Sequence, residues 1–132
     1  MINRETKLRL ARPSADIRRI SQMYMEGLGF EKLGFFQDHD GFSGVMLGHP
    51  QQIYHLEFTE KSGDDSLVPP HPDQLVVFYV PDKNEWEKAC KKIVKAGFLE
   101  VPAHNPFWDL CGKTFADLDG YRLVLQNQAW LS

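Results

Sequence analysis

His55 and Glu57 are the residues whose types and spacing best suit chemistry in this chain. They alternate with Tyr54, Leu56 and Phe58, so a strand here puts Ile53, His55, Glu57 and Thr59 on one face and the apolar set on the other. An imidazole and a carboxylate on one strand face are able to ligate a divalent cation, although two ligands alone make a poor site. The competing reading is an ion pair, because a carboxylate removed from water without a partner is costly. Arg9 shares the same phase on the first strand and is the nearest candidate partner, with His55 as a hydrogen-bonding neighbour.

The remaining polar candidates carry less. His39 reads as a turn residue, His49 stands beside Pro50, and His71 falls in a linker, all read as solvated loop positions. His104 precedes Asn105-Pro106-Phe107-Trp108, a loop whose Phe107 and Trp108 offer apolar surface to a planar or aliphatic ligand, or else cap the core. Ala11, Val77, Tyr79, Arg122 and Gln126 fall on the same strand faces as the first group. Cys111 has no activating His or Lys nearby in sequence, and Cys90 falls on a helix; without a CxxC spacing, a reduced pair is expected rather than a zinc site.

Composition narrows the classes. The 132 residues suit one compact domain or two fused halves, and 42% hydrophobic content supplies a core. A net charge of −3 with no basic stripe argues against nucleic-acid binding. There is no apolar run long enough for a membrane span and no secretory leader at the N-terminus, so a cytoplasmic protein is expected.

The elements that must position these residues read as one pattern written twice. Leu8-Arg9-Leu10 begins a strand over Lys7–Arg12; Ser14 is the expected N-cap, with Asp16 in the first helical turn. Ile17, Ile20, Tyr24 and Leu28 then mark a helix face, and Gly29 ends it. Strands follow over Phe30–Gln37, Phe42–Leu47 and Gln52–Phe58, with a turn at Asp38–Gly41. The second copy opens at Leu75–Val80. Asp82 and Glu85 form a capping-box variant, and Trp86, Ala89, Cys90, Ile93 and Val94 mark the buried face. Gly97 ends this helix, Phe98–Val101 is a strand, and Lys113–Asp117 with Tyr121–Gln126 makes a hairpin turning at Asp119-Gly120. The fold class expected is α+β, with module one at about 5–60, a Gly/Asp/Ser/Pro-rich linker at about 61–73 and module two at about 74–130. Two βαβββ modules of curved mixed sheets would enclose a cleft.

Three stretches carry a resemblance over nearly the whole chain. They are His55-Leu56-Glu57-Phe58, Val80-Pro81-Asp82 leading to Lys95-Ala96-Gly97-Phe98, and Phe115-Ala116-Asp117-Leu118-Asp119-Gly120-Tyr121. The chain resembles the vicinal oxygen chelate superfamily, which includes glyoxalase I, extradiol dioxygenases and the fosfomycin- and bleomycin-resistance proteins. The resemblance implies the glyoxalase/bleomycin resistance/dioxygenase fold as a single domain over 1–132, and a homodimer. Enzymes of that superfamily hold a divalent metal as a Lewis acid or for dioxygen activation. Of the four ligand positions it implies, only Glu57 is retained. Arg9 stands where His or Gln is usual, Leu75 where His is usual and Val124 where Glu is usual; a one-residue shift offers Gln74 or Leu125. Arg cannot ligate a cation.

The expected function is therefore metal-independent binding of a small organic molecule in the cleft, as in sequestration of a drug or metabolite. Arg9, His55, Glu57, Tyr79, Phe107, Trp108 and Arg122 are the candidate ligand contacts, and no cofactor is expected. The alternative is a metal-dependent glyoxalase-like lyase or dioxygenase using Glu57 and His55. A scaffold kept purely for protein association is the third reading.

Overall fold

Period-two alternation and Asp-Gly turns build a four-stranded sheet in each half of the chain, each βαβββ in order. The computed structural model describes residues 1–131. The first half contains β1 (Leu8–Pro13), α1 (Ile17–Leu28), β2 (Glu31–His39), β3 (Phe42–Gly48) and β4 (Tyr54–Lys61). The second contains β5 (Leu75–Tyr79), α2 (Lys83–Lys95), β6 (Leu99–Val101), β7 (Gly112–Ala116) and β8 (Arg122–Gln126), with a 3₁₀ turn at Pro106–Asp109. The class is α+β. Met1–Met25 with Gly29–Leu67 forms one compact unit; Glu26–Leu28 and the chain from Val68 onward form the other.

In the first unit the sheet order is β1-β4-β3-β2, with β1 parallel to β4 and the other pairs antiparallel. The β2–β3 hairpin turns on Asp40 and Gly41, both at positive φ as a tight right-twisted hairpin requires. His39 closes β2 instead of sitting in the turn as the sequence suggested. Ile20, Met23, Tyr24, Phe30, Val45, Leu47, Leu56 and Phe58 form the core, with the Tyr24 ring 4.8 Å from Phe58.

The cap of α1 is a correction. Asp16, in extended conformation, is the N-cap and its carboxylate accepts from the Arg19 amide. Ser14 lies outside the helix, where its Oγ accepts from the Asp16 amide at 3.2 Å.

The second unit repeats the topology as β5-β8-β7-β6, with β5 and β8 parallel. Asp82 caps α2 by accepting from the Glu85 amide at 2.9 Å. Cys90 and Ile93 are the buried residues of α2, and Trp86 Nε1 donates to the Leu125 carbonyl at 2.7 Å. Val94 does not belong to that face; it is exposed, one residue beyond Ile93 on the helix. The β7–β8 hairpin shows why Asp117 and Gly120 occur together: the Asp117 carboxylate accepts from the Asp119 and Tyr121 amides, and Gly120 takes φ 87°. Among the described residues no helix is long and apolar enough to cross a membrane.

The two thiols differ sharply. Cys90 is buried, and desolvation pushes its pKa up to about 11 despite the nearby Lys113 cation; Cys111 is exposed. Titration of the native protein with a disulfide reagent at pH 8 should therefore modify Cys111 and leave Cys90 until the chain unfolds. Two fast equivalents would contradict the burial. The folded state holds the Cys90 proton more tightly than the unfolded chain, so this group's contribution is intact below pH 9 and is lost as pH rises toward 11.

Candidate functional site

In the first unit, strand phase and parallel register together place three polar side chains. Leu56 and Phe58 of β4 are buried, which turns His55 and Glu57 to the opposite face. β1 pairs with β4 so that Arg9 is level with His55 and Ala11 with Glu57. Arg9 therefore rises on the His55 side and reaches Glu57 along the diagonal. Its Nε donates to His55 Nε2 at 2.9 Å, and its Nη1 lies 3.6 Å from Glu57 Oε2.

This contact fixes the chemistry of both partners. An imidazole nitrogen that accepts from arginine has its lone pair engaged, so His55 Nε2 is not open to a cation. The Glu57 carboxylate, 12% exposed, faces a cation that is itself 47% exposed. A divalent metal does not fit this donor set. One guanidinium occupies both side chains, Ala11 adds no donor on β1, and among the described residues no group of three or more His, Cys, Asp or Glu could hold a metal ion.

In the second unit the positions where a His and a Glu ligand are usual carry Leu75, half-buried on β5, and Val124, fully buried on β8. A one-residue shift supplies nothing better. Gln74 is exposed before β5, and Leu125 is buried with Trp86 on its carbonyl.

Three aromatic candidates do come together there. Tyr79, Phe107 and Trp108 line one groove of about 410 Å³, joined by Gln126, Gln128, Ala129, Trp130 and Leu131. The 3₁₀ turn holds Phe107 and Trp108 edge to face at 5.1 Å, and Asn105 caps that turn by accepting from the Phe107 amide. Tyr79 meets the Trp130 ring at 5.7 Å. Arg122 is not among them: its Nη1 donates to the Pro102 carbonyl at 3.2 Å.

Sequence reading missed Trp130, an aromatic residue placed just after the last strand. His71, read as a solvated loop position, is exposed in a loop, and His49 is half-buried in one; neither ring contact was foreseen. His49 packs edge-on against buried Phe30 at 5.3 Å, and the His71 and His104 rings meet at 5.4 Å although 33 residues separate them in sequence.

The YycE-like N-terminal domain family matches residues 8–59 and the YycE-like C-terminal domain family residues 73–127. The chain is 41% identical to the uncharacterized protein YycE of Bacillus subtilis over 126 residues, 96% of this chain and 91% of that protein. The crystal structure of a Bacillus subtilis YycE protein of unknown function superposes with a TM-score of 0.89, covering 97% of this chain and 93% of that one. Leishmania major trypanothione-dependent glyoxalase I (TM-score 0.73, 21% identity, 96% and 88% coverage) shares the fold. So does the fosfomycin resistance protein FosX of Mesorhizobium loti (TM-score 0.72, 11% identity, 98% and 94% coverage). Doubled βαβββ architecture, both domain matches and close likeness to YycE lead to one assignment: this chain belongs to the YycE-like family of the vicinal oxygen chelate superfamily.

Proposed function

We propose that this protein binds a small organic molecule without a catalytic metal, sequestering it instead of turning it over. The observation that carries this reading is the Arg9 guanidinium, which donates to His55 and faces Glu57 where a cation would need both. A guanidinium offers five N–H donors, so Arg9 retains donors for a ligand oxygen beyond those used on β4. Glu57 faces it at 3.6 Å, and His55 accepts from its Nε. The aromatic groove of the second unit supplies apolar surface of a size suited to a small molecule.

Elemental analysis tests the proposal. Protein purified from cells grown with nickel, zinc, manganese and iron should carry far less than one equivalent of any of them. One full equivalent that disappears on Glu57→Gln would overturn the proposal in favour of a metal-dependent lyase or dioxygenase.

A further inference from the structure

We propose that the groove lined by Tyr79, Phe107, Trp108 and Trp130 binds a flat, uncharged aromatic molecule through a lactam or amide edge read by Gln126. The inference rests on the small-molecule reading above and names the ligand class for this groove.

Shape and surface come first. Phe107 is 53% exposed and Trp130 68%, large apolar surfaces left in water around a groove of about 410 Å³. Aromatic rings set at angles to one another, as Tyr79–Trp130 and Phe107–Trp108 are, favour a planar guest inserted by stacking and edge contacts. Charge comes second. The described lining residues are Tyr79, Phe107, Trp108, Gln126, Gln128, Ala129, Trp130 and Leu131, none of which has a side chain with a formal charge at neutral pH. A charged guest would lose water there without a counter-ion among the described lining residues.

The third observation selects the hydrogen-bonding edge. Gln126 is 1% exposed, yet its Oε1 has no hydrogen-bond partner, while its Nε2 donates to Gln128 Oε1 at 2.8 Å. A buried carbonyl oxygen without a donor is a cost that folding alone leaves unrecovered. Gly112 makes room for it, since a Cβ there would stand 2.4 Å from that oxygen. Gln128 is exposed and belongs to the segment after β8, so a guest can take its place. A cis-amide edge then completes both halves of Gln126, its carbonyl accepting from Nε2 and its N–H donating to Oε1.

Calorimetric titration of the full chain with isoquinolin-1(2H)-one and with its N-methyl derivative tests this. The lactam should bind saturably, and the N-methyl compound about tenfold or more weaker, because a site built around a hydrogen bond rejects the analogue that lacks it. Gln126→Leu should remove that discrimination. Trp130→Ala, at an exposed position where misfolding is not at issue, should weaken both compounds. No saturable lactam binding, or equal affinity for the two compounds, overturns the proposal. Failure here with the protein still free of stoichiometric metal removes this ligand class and leaves the wider reading standing; a metal equivalent lost on Glu57→Gln removes the wider reading itself.

Discussion

Phe58→Ala should cost about 3–5 kcal/mol of folding stability, the range for truncating a fully buried phenylalanine. Phe58 is 0% exposed on β4, a strand flanked on both sides, and its ring meets Tyr24 at 4.8 Å. The loss combines transfer of the ring from water with the cavity that β-strand neighbours cannot close. Against a total stability of roughly 5–15 kcal/mol, the variant should be partly unfolded near physiological temperature. Phe58→Leu keeps most of the volume and should cost about 1.5 kcal/mol or less. Urea titration of the three proteins measures both values.

The outcome bears on the site as well as on the core. A one-residue slip of a strand exchanges its two faces, so the phase that buries Phe58 is the phase that presents His55 and Glu57. Were Phe58→Ala to cost under about 1 kcal/mol, the face assignment behind the Arg9–His55–Glu57 group would fail with it.

That phase was legible in the sequence because alternation over Tyr54–Phe58 is a local property. The doubled βαβββ order was legible for a similar reason: Asp16, Gly29, Asp82 and Gly120 mark element ends through their own backbone and capping chemistry. Choosing between Ser14 and Asp16 as the cap was harder. Both are good capping types two residues apart, and only the extended backbone at Asp16 together with the Arg19 contact decides it. Val94 failed differently, since an apolar residue adjacent to Ile93 widens the stripe without turning inward.

The parts of the site that escaped were set by long-range pairing. His49 on Phe30 and His71 on His104 depend on how loops pass over their sheets, which period and propensity do not encode. Gln126 was placed on the right face by alternation, but its burial was not foreseen, because polar residues near strand ends are usually solvated. Arg122 shows the converse. Its phase was read from alternation, yet the Pro102 carbonyl on the neighbouring connection claims it.

Arg9→Met should cost about 2 kcal/mol, an intermediate value because Glu57 is largely removed from water whereas Arg9 is half exposed. Methionine keeps the apolar stem and removes the cation, so the loss reports mainly on the carboxylate left facing no counter-charge. Glu57→Gln should cost less, about 1 kcal/mol, since water can reach the remaining guanidinium. The double variant should then lose less than the two single losses added together. Additivity within about 0.3 kcal/mol in urea titrations of all four proteins would mean that the 3.6 Å approach carries no energy. Arg9→His extends the same logic to the metal question. It removes the donor to His55 Nε2 and puts a third ligating side chain on the face shared with His55 and Glu57. Three such ligands around an open position suit zinc. The variant should retain more zinc than the parent protein, and it should lose that gain again on Glu57→Gln. If Arg9→His retains no more zinc than the parent, the guanidinium is not what keeps a cation from this strand pair, and the metal-independent reading loses its main support.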